Sequence, residues 1–407
     1  MRIALFHNLL AGGAKRALYE YARELRSRRH HLDAFTLATG DEAFLPLAPV
    51  TERVHVEPVT LPGLLETRLL PFVLQYWNLR RRLGAFEALD AAHARVAERI
   101  DAGGYDVAFV HPDYLVKAPF LLRHLRTPSV YYCYEPLRRY YEYTAPPPPP
   151  ASWKGRVRAA WYAPVEPLYE GRHKRQDAEN TRAAKLLVTS SLYACESIRR
   201  AYGLTAHVAR LGVDTERFKP VPMPREHAVV SVGRFQENKN QALIIEALAR
   251  LEASRRPKLI LVGESSGTAA YRDGLVAQAR AQNVTLELLE DASDADLVAA
   301  YNRARLNVFT PILEPFGFVP LEAAACGTPS VGVHEAGVRE TIRHDQTGLL
   351  VAPEPGAVAS AIATLLADDA RREAMGARAL DDVRTEWTWQ RSAEAIERLF
   401  AQVVGES

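Results

Sequence analysis

Glu314 and Glu322 lie eight residues apart in the segment EPFGFVPLEAAACGTPSVG, residues 314–332. Two carboxylates at this spacing, one before a helix start and one within the helix, suit acid–base work. Glu314 precedes Pro315, which disfavours helical dihedrals at the residue before it, so a loop begins ahead of the acid. Pro320 suits a first helical turn, Ala323 to Ala325 propagate the helix, and Gly327 with Pro329 ends it. A helix amino end there, near Val319, offers free N–H groups and a positive dipole end to an anion.

Two cations fall in a comparable place upstream. The apolar run Ala228 to Val232 ends in Gly233, Arg234 and Phe235, and Lys239 follows before a helical pattern from Gln241 to Leu251. An arginine fork binds phosphate oxygens in a bidentate way and a lysine adds a point charge, each charge-assisted bond contributing roughly 1.5 to 3 kcal/mol. Together they fit a diphosphate.

The elements that must position these groups are α/β. Strand-like runs at Arg2 to Phe6, Leu32 to Leu37, Val107 to Val110, Val130 to Cys133 and Leu186 to Thr189 alternate with amphipathic helical patterns, the first from about 13 to 28. A second series runs through Ala228 to Val232, Leu259 to Val262, Val284 to Leu288, Leu306 to Phe309 and Val331 to Val333. Such alternation predicts two parallel-sheet domains, in which ligands gather at the carboxyl ends of strands. Between the series, Lys219 to Pro224 contains three prolines and is expected to be the hinge. Pro146 to Pro150 reads as a stiff polyproline segment.

Charge is unevenly shared. Residues 1–214 hold 30 Lys and Arg against 22 Asp and Glu, so this half is basic, and the rest is acidic because the whole chain is only +2. A basic half implies an anionic partner: a membrane surface, a lipid phosphate or a nucleic acid. Residues 63–82 and 153–175 mix Trp, Tyr, Phe and Leu with Arg80, Arg81, Arg82, Lys154, Arg156, Arg158 and Arg172, as interfacial segments do. Cys133, Cys195 and Cys326 are few, odd in number and far apart, which argues against a disulfide framework or a cysteine zinc site and suits a reducing cytoplasm. The opening run MRIALFHNLL is too short for a signal peptide's apolar region, and no apolar stretch reaches spanning length. The expectation is a cytoplasmic chain, peripheral at most on the inner face of the membrane.

With these residues in view a resemblance can be stated. LAGGAKRALYEYARELRSRRH (10–30), RLGVDTERFKP (210–220), VGRFQENKN (232–240), EPFGFVPLEAAACGTPSVG, EAGVRE (335–340) and TGLLV (347–351), in this order, resemble the retaining glycosyltransferases of the GT-B fold, family four, the group that includes glycogen synthase and phosphatidylinositol mannosyltransferases. The resemblance implies two Rossmann-like domains facing a deep cleft: an acceptor-binding domain over 1–218, a nucleotide-sugar-binding domain over 219–386, and a final helix over 387–407 crossing back to the first. It implies that Arg234 and Lys239 hold the donor diphosphate, Glu322 the ribose hydroxyls, and Glu314 the transferred sugar near the reacting carbon. Phe316, Gly317, Phe318 and Val319 would offer backbone groups. Gly12 and Gly13 would let the backbone approach the phosphates, and His111 would border the sugar. The reaction implied is sugar transfer, without metal or other cofactor, from a UDP- or GDP-sugar to a carbohydrate or lipid-linked acceptor. An anionic membrane surface is a further implied partner, and nucleic acid is not.

Where the family often has two glycines, this chain has Glu335, Ala336 and Gly337, which leaves the sugar-contacting loop in question. Asp294 and Asp296 read as helix capping after Ser293, not as metal ligands. GxxxxGK and GxGxxG patterns are missing, so nucleotide hydrolysis and nicotinamide chemistry have no support. Two other functions are compatible with the site: a nucleotide-sugar epimerase of the same fold, and a sugar-nucleotide-binding protein without turnover.

Overall fold

The computed structural model describes residues 1–63, 71–142, 152–162, 166–264 and 269–405. Pro146 to Pro150 and part of the 63–82 segment lie outside these residues. The chain forms two compact units. Met1–Thr189, Cys195–Ala209 and Ala393–Ser407 make the first, and Ser190–Ala194 with Arg210–Ser392 the second. Lys219 to Pro224 carries neither helix nor strand.

The first unit is built on a parallel sheet of β1 (Arg2–Asn8), β2 (His31–Leu37), β3 (Arg53–Glu57), β4 (Val107–Asp113), β5 (Ser129–Tyr132), β6 (Leu186–Thr189) and β7 (His207–Val208), in the order β3-β2-β1-β4-β5-β6-β7. The apolar runs foreseen in the sequence are its buried central strands. β3 and β7 were not foreseen, because β3 is half exposed and β7 has two residues, too few for either to leave a pattern. Helix Gly13–Ser27 follows β1 and buries Ala17, Leu18, Tyr21, Ala22 and Leu25, a stripe at helical spacing. Strand order reverses between β1 and β4, so the crevice at their carboxyl ends is the place where such sheets take ligands.

The second unit repeats the design with β8 (Ala228–Val232), β9 (Lys258–Gly263), β10 (Leu286–Glu290), β11 (Leu306–Phe309), β12 (Ser330–Val333) and β13 (Gly348–Val351), ordered β10-β9-β8-β11-β12-β13 and all parallel. Here the reversal lies between β8 and β11, the two strands that end at Arg234 and at the Glu314 loop. β10 begins two residues later than its apolar run predicts: the N–H of Val284 donates to Ala279 O at 2.9 Å and closes the preceding helix. Ser293 and Asp296 form a reciprocal capping box on helix Asp294–Arg303, as the sequence reading held.

The last helix, Trp389–Gly405, supplies the first unit from Ala393 onward, as expected for a terminal helix that returns to that domain. Phe400 is fully buried with its ring edge-on to Phe109 at 5.2 Å, and Glu397 accepts from Arg28 at 2.9 Å and pairs with His30 at 2.7 Å.

Candidate active site

In the second unit, chain direction is set by a few backbone positions. Gly317 caps helix Phe318–Ala325 at φ 98°, a left-handed value that a side chain would resist, and the helix starts one residue before Val319. The N–H of Gly337 donates to Glu314 O at 2.8 Å, tying the acid's backbone to the loop after β12. Ala336 sits at φ 46°. That gives the departure noted in the sequence a physical cost: glycine suits this position, whereas an alanine there is strained by roughly 1 to 2 kcal/mol.

The side chains converge in pairs. Lys239, from the short turn after β8, places Nζ 2.6 Å from Glu314 Oε2, with 25% and 19% of the two side chains exposed. Arg234 Nε is 2.8 Å from Glu264 Oε2, both about half exposed. Glu322 is buried in its helix and accepts from the Tyr301 hydroxyl at 2.9 Å. The structure therefore brings Lys239 to Glu314 and gives Arg234 and Glu322 partners that the sequence did not disclose. Phe316 is buried edge-on to Trp387 at 5.7 Å and to Phe318 at 5.2 Å, so these rings hold the loop. Val319 packs on Phe309, Val338 and Ile342.

In the first unit, Gly12 takes φ 148° and ψ −173° ahead of the helix that Gly13 opens. His111 lies at the end of β4 and is fully buried, its ring parallel to that of Tyr132 at 5.6 Å. The Tyr134 hydroxyl donates to Ala14 O at 3.2 Å and lies 3.1 Å from His111 Nδ1. With that hydroxyl proton committed, Nδ1–H of His111 donates to Tyr134 and Nε2 keeps a bare lone pair; this tautomer is assigned from the hydrogen bonds. Among the described residues, Nε2 is buried without a partner. Burial, then the charges of His7 and Lys15, hold His111 well below the ordinary histidine range, so it is a neutral acceptor.

Beside it is a cluster that the sequence reading missed. Lys15 and His7 are fully buried and both meet Glu42 Oε1, His7 Nε2 at 2.9 Å. Leu9 N–H donates to His7 Nδ1 at 3.3 Å, so Nε2 carries the proton given to Glu42. Partial burial pushes Glu42 up, but hydrogen bonds from His7 and Lys15 outweigh it and hold the carboxyl down at about 2. Lys15 was visible beside the glycine pair; Glu42, in a loop without period, left no signal.

Among the described residues, no helix is long and apolar enough to cross a membrane, and no three His, Cys, Asp or Glu side chains are grouped to hold a metal ion. Of the basic cluster at 80–82, Arg82 is paired with Glu166 at 3.0 Å and lies over the Tyr169 ring at 3.6 Å. Trp77, Trp153 and Leu168 are exposed.

Residues 213–382 match the family described as glycosyl transferases group 1. The D-inositol 3-phosphate glycosyltransferase of Corynebacterium glutamicum (strain R) is 33% identical over 182 residues, 43% of this chain and 43% of the relative. The glycogen synthase of Mycobacterium tuberculosis (strain ATCC 25618 / H37Rv) is 29% identical over 230 residues, 54% of each. The chain thus spans about half the length of the curated relatives it matches. Among solved structures, sucrose-phosphate synthase from Thermosynechococcus elongatus superposes with a TM-score of 0.72 at 21% identity, covering 100% of both chains. Anabaena HepE in complex with UDP and glucose gives 0.74 at 19%, covering 99% of this chain and 100% of that one. At these identities the likeness shows the fold alone, two parallel-sheet units of the GT-B kind.

Because Glu42 has a lowered pKa when folded, its contribution to stability is complete above the unfolded carboxylate value of about 4.5 and is lost as pH falls towards about 2. Urea unfolding of wild type and Glu42→Gln should therefore differ most above pH 5 and converge only as pH approaches about 2, and a difference that does not shrink on acidification would contradict this.

Proposed function

We propose that this chain, whose residues 213–382 belong to the glycosyl transferases group 1 family, moves a sugar from a nucleoside-diphosphate donor, UDP- or GDP-linked, to a hydroxyl of a carbohydrate or lipid-linked acceptor. The observation that carries the reading is the Lys239–Glu314 pair beside the strand end that bears Arg234. A diphosphate has two oxyanion groups to offer Lys239 and Arg234. A hydroxyl-rich sugar at its end meets Glu314, whose carboxylate accepts hydrogen bonds from sugar hydroxyls. Glu322 takes the ribose hydroxyls, and the backbone N–H groups from Gly317 to Val319 take phosphate oxygens at the helix amino end. Within the first unit, His111 and the Gly12–Gly13 turn are that unit's own candidates for contact with a sugar and with phosphate.

Transfer goes with retention. The bond from the sugar's anomeric carbon to the diphosphate oxygen breaks, the acceptor oxygen bonds to the same face, and the acceptor's proton passes to the leaving diphosphate. Arg234 and Lys239 stabilise the charge that grows on that leaving group, so the reaction needs neither a metal nor a protein base. The helix end adds roughly 0.3 to 2 kcal/mol. Rate enhancements of on the order of 8 to 23 kcal/mol exceed what these groups supply, and orientation of donor and acceptor provides the remainder. Glu314 acts by positioning and by charge.

The lipid-linked class of acceptor fits a peripheral place on an anionic membrane at its cytoplasmic face. The basic first half, exposed Trp77, Trp153 and Leu168, and exposed Lys154 and Arg156 support that place.

Arg234→Ala should raise the Kd for the donor at least about tenfold and abolish most turnover, with little change in Tm, since the side chain is half exposed. Wild-type turnover in that variant would remove the diphosphate assignment. Excess EDTA should leave product formation intact, and loss restored by a divalent ion would refute metal independence. In flotation with anionic liposomes at low salt, the protein should rise with the lipid and release as salt increases; none rising would count against membrane docking.

A further inference from the structure

We propose that Tyr301 is a positioning residue that gives the donor site its selectivity for ribose, acting through Glu322. The inference rests on reading Glu322 as the ribose ligand, and the geometry behind it is independent of that reading. Tyr301 stands in the last turn of helix Asp294–Arg303, fully buried, with Phe218 edge-on to its ring at 6.1 Å. Its hydroxyl donates to Glu322 Oε2 at 2.9 Å. A phenol buried at a carboxylate does more than fill space: it fixes the plane in which the two carboxylate oxygens lie.

The two backbones that set this distance are clamped together. Thr328 Oγ1 donates to Tyr301 O at 2.8 Å and accepts from Arg225 Nη1 at 2.7 Å. Arg225 also donates to Ala304 O at 2.6 Å, just past the Tyr301 helix, and to Cys326 O at 3.3 Å and Gly327 O at 3.2 Å, just past the Glu322 helix. One guanidinium thus ties together the carboxyl ends of both helices. Burial lowers the pKa of Arg225, yet an arginine remains charged there, so the clamp's hydrogen bonds are charge-assisted throughout ordinary conditions.

A carboxylate free to rotate accepts from one hydroxyl about as well as from two neighbouring ones. A carboxylate held in plane by Tyr301 is matched to a vicinal diol, and a ligand lacking one hydroxyl forfeits a bond to a charged acceptor. Buried polar groups that are built for a partner discriminate in this way by leaving themselves unpaired when the partner is missing. Tyr301 touches no reacting atom, so its loss should appear in donor binding and not in the chemical step.

The test is calorimetric, on the full chain, with whichever of uridine or guanosine diphosphate binds wild type, and with the 2′-deoxy and 3′-deoxy forms of the same nucleotide. Wild type should prefer the ribose form over at least one deoxy form by about tenfold or more. In Tyr301→Phe, which keeps the ring, binding of the ribose form should weaken several-fold while the disfavoured deoxy form hardly changes, so that the preference collapses. KM for the sugar donor should rise with kcat nearly unchanged. Should Tyr301→Phe not fold, Thr328→Val, which removes the link from Tyr301 O through Thr328 to Arg225 but keeps the Tyr301 hydroxyl, should narrow the preference part of the way. A wild type that discriminates, with variants that discriminate equally, overturns the role of Tyr301 and leaves the ribose reading standing. A wild type that ignores the deoxy change overturns the ribose reading and the role of Tyr301 with it.

Discussion

An ammonium and a carboxylate 2.6 Å apart, Lys239 and Glu314, set the terms for the rest of the second unit. With roughly a quarter and a fifth of their side chains exposed, they form a pair of the kind that contributes about 1 kcal/mol or less to stability. Each charge-assisted bond from Lys239 to a phosphate oxygen contributes roughly 1.5 to 3 kcal/mol, so a diphosphate can draw the lysine away. Under the proposed function, that exchange releases Glu314 to the sugar when the phosphates bind. A pair too strong to exchange would block the site, and no pair at all would leave the cation unplaced.

The fold supports this exchange by putting each partner on a different side of one reversal in strand order. β8 delivers Arg234 and Lys239, β11 delivers the loop to Glu314, and the two strands are hydrogen-bonded neighbours. Gly317 and Gly337 then hold the loop: the first by its left-handed turn, the second by lying so close to Pro315 O that a side-chain carbon would fall 2.2 Å from it. The first unit uses the same device at β1 and β4, where the turn at Gly12, the neutral His111 and the Lys15–Glu42 cluster gather. Both sheets thus place charge at the same kind of topological position.

Much of this was legible in the sequence because the signals are local. Buried parallel strands appear as apolar runs, and the Glu314–Pro315 step, the alanines after Pro320 and the Ser293 cap each announce an element without reference to the rest of the chain. What was illegible depends on residues far apart. Tyr301 meets Glu322 across 21 positions, and Lys15 meets Glu42 across 27, through side chains whose types suit an ordinary core or a solvated loop equally well. β3 and β7 went unseen because a half-exposed strand and a two-residue strand have no period to read, and β10 was displaced by a helix end that claimed Val284 first. Arg82, counted in the sequence as part of a membrane-facing cluster, is occupied by Glu166 and Tyr169.

The account turns on Glu314 competing for the lysine that a diphosphate needs, and the most direct measurement is the affinity of the sugar-free nucleoside diphosphate for Glu314→Gln. Removing the carboxylate's charge leaves Lys239 without its ionic rival, so the variant should bind the diphosphate several-fold more tightly than wild type by calorimetry, while turnover of the full sugar donor falls by about a hundredfold or more. Weaker or unchanged diphosphate binding together with near-normal turnover would contradict it.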